Sequence, residues 1–135
     1  YVKLINQGLV KIANEYNVKG ISFIAINSND VESYPEDSPE NMKKIAEQLS
    51  YPFPYLFDET QEIAKLYDAA CTPDFFVFDK DLKLAYRGQF DDARPRNRKI
   101  VTGESLRTAL NDIIAKRPIS IVQKPSIGCN IKWKK

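Results

Sequence analysis

Ala70-Cys71-Thr72-Pro73-Asp74-Phe75-Phe76-Val77-Phe78-Asp79 is the stretch on which the fold turns. A proline preceded by a small polar residue leads straight into an apolar run of aromatic and β-branched side chains, which reads as a buried strand. Proline cannot donate to a ladder, so it belongs at the mouth of such a strand. An X-Pro bond there can be cis, a minority state that only tertiary context holds. Cys71, two residues before the proline, adds a thiol to this backbone. The corner therefore reads as part of a redox site.

Composition narrows the chemistry around that corner. The chain has 135 residues, 43% hydrophobic, enough for one domain with a real core. Twenty basic and 18 acidic residues leave a net charge of +2, too small to imply a nucleic-acid or anionic-membrane partner. No apolar run approaches the roughly 18 residues of a membrane span, and no signal-peptide pattern is present. A soluble, cytoplasmic protein is the expectation, since two cysteines fit a reduced compartment at least as well as a single structural disulfide. Histidine is absent, which removes Ser-His-Asp and Cys-His nucleophilic machinery. It also makes a zinc site improbable. The five glycines are unclustered, so there is neither a phosphate loop nor a dinucleotide fingerprint. No metal and no cofactor are expected.

Outward from the corner, periodicity assigns the elements. Val2, Ile5, Leu9, Ile12, Ala13 and Tyr16 recur at three- and four-residue intervals, predicting an amphipathic helix that runs from Tyr1 with no capping residue before it. Residues 21–26 form a nearly continuous apolar run, which predicts a strand buried on both faces. Residues 27–37 read as a loop. Ser38 as N-cap and Pro39 at the first helical position open a second helix with Met42, Ile45, Ala46 and Leu49 inward. Tyr55-Leu56-Phe57 is a short extended segment. Asp58 and Gln61 predict a capping box for a short helix through Ile63, Ala64 and Tyr67. Residues 75–78 and 82–86 flank the Asp79-Lys80-Asp81 turn as an antiparallel hairpin. Residues 91–99 are charged and read as a surface loop, and Thr102 is the predicted cap of a last helix with Leu106, Ala109, Leu110, Ile113 and Ile114 on one face. The domain is expected to span 1–118, followed by an irregular tail over 119–135. The order of elements predicts an α/β fold with a parallel part and an antiparallel edge.

These residues carry a family likeness. The runs Ile24-Ala25-Ile26-Asn27-Ser28-Asn29-Asp30, Phe53-Pro54-Tyr55-Leu56-Phe57-Asp58-Glu59-Thr60-Gln61 and Tyr86-Arg87-Gly88-Gln89-Phe90-Asp91-Asp92 resemble the redoxin group. So do the Cys71-Thr72-Pro73 corner and the ending Pro125-Ser126-Ile127-Gly128-Cys129-Asn130-Ile131-Lys132-Trp133. That group contains the alkyl hydroperoxide reductase and thiol-specific antioxidant proteins. The resemblance implies a thioredoxin-like sandwich: a mixed sheet with a C-terminal antiparallel hairpin and flanking helices. It implies thiol-disulfide oxidoreduction or thiol-dependent peroxide reduction, with a protein disulfide or hydroperoxide as substrate and a thiol as reductant. Related proteins usually carry a Cys-x-x-Cys pair at the start of the helix that here begins at Tyr1. Neither that pair nor the central strand leading into it lies in these residues, so the sequence is expected to start just downstream of the nucleophile.

Within the chain, the resemblance makes Thr72 and Pro73 the substrate groove, where an incoming peptide pairs as an added strand. Cys71 and Cys129 are the two candidates for exchanging electrons. Cys71 has no flanking base or cation to stabilise a thiolate, whereas Cys129 lies near Lys132 in an accessible tail. A disulfide between them would close a loop of about 58 residues and stabilise by about 4 kcal/mol on chain-entropy grounds, if the tail folded back. The tail itself reads as an anchor, with Trp133 set in a groove. The run Arg94-Pro95-Arg96-Asn97-Arg98-Lys99 invites a phosphate contact, but it lacks interleaved aromatics and follows Asp91 and Asp92, so a solvated loop is favoured. The competing function is a non-catalytic thioredoxin-like module that holds an extended peptide at Thr72-Pro73.

Overall fold

Helix α1 (Val2–Asn17) turns Ile5, Ile12, Ala13 and Tyr16 inward, the stripe that its periodicity predicts. The computed structural model describes residues 2–135, and whether the helix includes Tyr1 lies outside them. Along the chain follow β1 (Ala25–Asn27), a single 3₁₀ turn at Pro35–Asp37, α2 (Pro39–Gln48), β2 (Tyr55–Phe57), α3 (Glu62–Leu66), β3 (Phe75–Phe78), β4 (Leu84–Gly88) and α4 (Glu104–Ile114). Ser38 caps α2, its hydroxyl accepting from the Asn41 N–H at 3.3 Å, with Pro39 in the first turn.

The strands form two separate two-stranded sheets. β1 pairs with β2 in parallel, Ile26 opposite Leu56. β3 pairs with β4 antiparallel, Phe75 opposite Gly88, with a bulge between Val77 and Phe78. Ile5, Ile12 and Tyr16 of α1 meet Leu106, Ala109 and Leu110 of α4 in one core with Tyr86 and Phe90. Ile21, Phe23, Phe75 and Val77 pack against that same cluster. The hairpin and the segment leading into β1 therefore pack against the same core, built from α1 and α4. Glu15 and Arg107 tie the helices by an ion pair, and the Tyr16 hydroxyl donates to Asn111 Oδ1 at 2.6 Å.

Several expectations need correction. The run 21–26 is not buried on both faces: Ile24 and Ile26 are 62% and 43% exposed, alternating with inward Phe23 and Ala25. Among the described residues β1 has a ladder on one side only, and no layer covers its outer face. The hairpin's second strand starts later than predicted. Asp79 Oδ1 accepts from the Asp81 and Lys83 N–H groups at 2.8 and 3.0 Å, closing a turn that takes in Leu82 at φ +59°. Phe78, expected in a buried strand, is 40% exposed.

The loop 91–99 is only partly a surface loop. Asp91 and Ala93 are buried. The Thr102 hydroxyl accepts the Glu104 N–H at 3.2 Å, but the N-cap position falls one residue later, at Gly103, and Asp91 holds the chain entering α4. Its Oδ2 accepts from the Thr102 and Gly103 N–H groups at 2.8 Å each, and its Oδ1 from the Ala93 N–H at 3.0 Å. Gly103 is the N-cap of α4 at φ +68°, where an added Cβ would overlap Ile12. The Asp58–Gln61 capping box does not form either. Asp58 accepts from the Ile63 and Ala64 N–H groups, while Gln61 turns away from the helix.

Burial pushes the Tyr55 and Tyr86 phenols up to about 12, with the Tyr51 phenol and Asp37 carboxylate adding to the first and Asp74 to the second. Both values are raised above the unfolded value of about 10. Their stabilisation is therefore complete below about pH 10 and lost as pH rises toward 12. Thermal unfolding temperatures are expected to hold steady to about pH 9 and then fall. The Tyr55→Phe/Tyr86→Phe double variant should fall less steeply; an identical fall would assign the alkaline loss elsewhere.

Candidate functional site at the Thr72-Pro73 corner

The Thr72–Pro73 bond is cis, at the entry to β3. Thr72 forms an antiparallel bridge with Cys129. Its N–H donates to the Cys129 carbonyl at 2.8 Å and its carbonyl accepts from the Cys129 N–H at 3.0 Å. The Thr72 hydroxyl adds a third contact to the Cys129 carbonyl at 3.3 Å. Gly128 makes this approach possible, since a Cβ there would overlap the Thr72 carbonyl. The tail does fold back across the corner.

Behind the corner Asp74 holds three elements together. Its carboxylate accepts from the Ala70 N–H at 3.0 Å and the Ser126 hydroxyl at 2.8 Å, and pairs with Arg87 of β4 at 3.4 Å. Arg87 also lies over the Phe76 ring. A cleft of about 170 Å³ opens between hairpin and tail beside Asp74, Arg87 and Ser126. It is smaller than the roughly 300–1,000 Å³ usual for small-molecule sites.

The two cysteines differ sharply. Cys71 is buried, and its thiol contacts the Pro73 carbonyl at 3.6 Å. Burial pushes its pKa up, and the Asp74 carboxylate pushes further the same way. Both effects disfavour the thiolate, the form that attacks a disulfide. Cys129 is exposed, with its backbone held at Thr72. No disulfide joins the two. Alkylation at pH 7.5 is expected to modify Cys129 at least about tenfold faster than Cys71. Peptide mapping of a partial reaction checks this, and equal labelling would refute the burial argument.

Other expected features fall differently. Trp133 is 43% exposed with Lys65 over its ring; Ile131, 7% exposed, is the residue that anchors the tail. Gln61 donates to the Ser28 and Lys132 carbonyls at 2.7 and 2.9 Å and accepts from the Lys134 N–H at 3.0 Å. Arg94 turns inward, donating to Gln89 Oε1 and to the Asp91 and Ala93 carbonyls, which removes it from the basic run. Sequence reasoning missed Asp74 and Ser126, and gave Gln61 a helix-capping role in place of its contacts to Ser28 and the tail. Asp74 carried one signal, its place directly after the proline. Among the described residues no group of three Cys, Asp or Glu side chains is arranged to hold a metal, and no helix is long and apolar enough to cross a membrane.

Residues 1–87, more than half of the sequence, match the AhpC/TSA family. The chain belongs to that family. Two solved structures resemble this AhpC/TSA chain throughout. One is the crystal structure of an uncharacterized conserved protein from Geobacillus kaustophilus, 66% identical with a TM-score of 0.97, the match covering 99% of this chain and 71% of that one. The other is that of a hypothetical protein from Sinorhizobium meliloti 1021, 48% identical with a TM-score of 0.97, covering 99% and 73%. No curated protein matches the sequence. Membership places the chain among the thioredoxin-like redoxins, whose broad activity is thiol-based oxidoreduction or peroxide reduction.

Proposed function

We propose that this chain carries the substrate-facing part of a redoxin-type thiol-disulfide oxidoreductase or thiol-dependent peroxidase. Its central strand and reactive thiolate would come from a segment preceding α1, completing a thioredoxin-like sandwich. The observation that carries this reading is the divided sheet. Ile21, Phe23, Phe75 and Val77 share one core, yet β1 and β3 each keep a strand edge without a ladder among the described residues. A strand entering there would satisfy those backbone groups. Ile24, Ile26 and Leu56, exposed together on the outer face, are what the same segment would cover.

In that arrangement the thiolate attacks one sulfur of a disulfide. A new S–S bond forms, the old one breaks, and the departing sulfur takes a proton. With a hydroperoxide, an S–O bond forms as the O–O bond breaks, leaving a sulfenic acid and an alcohol. A thiol reductant then returns the electrons, is itself oxidised to the disulfide, and in the peroxide case water leaves. Thr72 and Pro73 wall the approach to the reacting sulfur, and Cys71 packs beneath them. A non-catalytic peptide-binding module would need the Thr72 edge open, and here the tail holds it. The full natural protein, given a dithiol with either substrate class, is expected to consume the substrate and to lose that activity on alkylation of a cysteine preceding α1. Turnover that survives complete alkylation, or none with either class, would overturn the proposal.

A further inference from the structure

The backbone edge at Thr72 has one donor and one acceptor to offer a partner strand, and Cys129 takes both. The tail is clamped on each side of that bridge. Upstream, the Gln89 N–H donates to the Lys124 carbonyl at 3.0 Å, and Ser126 donates to the Gly88 carbonyl at 2.6 Å. Downstream, the Asp30 N–H donates to the Lys132 carbonyl at 2.7 Å, the Lys132 N–H donates to Asn29 Oδ1 at 2.9 Å, and Ile131 is buried. The tail thus runs from the outer edge of β4 across the corner to the loop after β1.

We infer that residues 124–133 are the resident strand of the Thr72 edge, so that the site admits low-molecular-weight disulfides or hydroperoxides and turns away extended peptides. This rests on the oxidoreductase reading above and narrows its substrate. A small molecule needs no strand pairing to reach a sulfur beside Pro73. A peptide does, because main-chain hydrogen bonds supply most of the affinity in strand addition. It must also compete with a tethered segment whose effective concentration is about millimolar or higher. A free peptide with equal intrinsic affinity therefore loses at any ordinary concentration.

The test uses the full chain and a fluorescein-labelled synthetic peptide of residues 124–135 carrying C129S, which removes disulfide chemistry from the probe. Wild type is expected to bind it only at about millimolar concentration or not at all. Gly128→Ala, whose Cβ cannot pass the Thr72 carbonyl, should bind it at least about tenfold more tightly and show faster amide exchange at Thr72 and Cys129. Ser126→Ala, which loosens the upstream clamp without backbone overlap, should shift binding and exchange in the same direction if Gly128→Ala misfolds. Both variants should also raise turnover of a peptide disulfide relative to a small aromatic disulfide. Equal peptide binding by wild type and folded variants, or released exchange with no gain in binding, would overturn the inference. Neither binding nor exchange requires turnover, so a chain inert toward both substrate classes would remove the oxidoreductase reading and leave the resident strand standing.

Discussion

Replacing Asp91 with alanine is expected to destabilise the protein by about 3–5 kcal/mol, although the residue sits at the head of a segment whose composition marks it as solvated. Its carboxylate is 2% exposed and accepts three backbone N–H groups, from Ala93, Thr102 and Gly103. Truncation leaves these donors in a space that water does not readily fill, and an unsatisfied buried donor costs about 1–3 kcal/mol. It also removes the negative charge at the start of α4, where the helix dipole favours one. Asp91→Asn keeps one acceptor but sets an amide donor against N–H groups, so it should recover less than half of the loss. Asp92→Ala, one residue on, removes a half-buried carboxylate that accepts from the Gln89 amide and pairs with Lys124 at the surface, so it should shift the unfolding midpoint far less than Asp91→Ala. Urea unfolding checks all three. A cost below about 1 kcal/mol for the alanine variant would mean that another acceptor replaces the carboxylate.

What could be read from the sequence follows the distance over which each feature is determined. Ser38-Pro39 opens α2 by contacts within four residues, and the α1 stripe is a property of its own spacing; both are present in the structure. Asp91 is different. Its partners lie 11 and 12 residues away at Thr102 and Gly103, so composition around 91–99 gave no sign of a buried carboxylate. Gln61 followed the capping-box spacing yet serves Ser28 and Lys132, because the tail presents a carbonyl and an N–H that only a nearby amide can satisfy together. The run 21–26 carried the pattern of a strand buried twice over, but the described residues supply a cover for one face alone.

The site was legible in part for the same reason. Thr72-Pro73 announces a special backbone locally, whereas the burial of Cys71 beside Asp74 depends on how the corner packs. The tail's return to Thr72 rests on Gly128, one of five glycines and unremarkable until its carbonyl neighbour is known. Trp133, the one tryptophan in the sequence, looked like the natural anchor. The structure instead buries Ile131, just before the Asn29 and Gln61 contacts at Lys132, while Trp133, between those and the Gln61 contact at Lys134, turns outward against Lys65.

Phe90→Ala is expected to cost about 3–5 kcal/mol, toward the upper end, and to lower the unfolding temperature by roughly 10–15 °C. Phe90 is 1% exposed at the junction of α1, α4 and the hairpin, its ring 5.3 Å from that of Phe75. The cost of a large-to-small change depends on how far the surroundings can close in. Here two parts of the wall are backbone: Gly8 and Gly103 lie against the ring and have no side chains to swing into the space. The Phe90 carbonyl also accepts the Leu106 N–H at 3.2 Å, which fixes the main chain on the third side. The resulting cavity should therefore stay open, apolar and dry, and an apolar ligand such as benzene should bind it and restore part of the lost stability. Phe78→Ala removes the same ring from a site 40% open to solvent, so it should cost about 1 kcal/mol and show no benzene rescue. A loss below about 1.5 kcal/mol for Phe90→Ala, with no benzene effect, would show that the helices close over the gap and that the glycine-lined wall is not rigid.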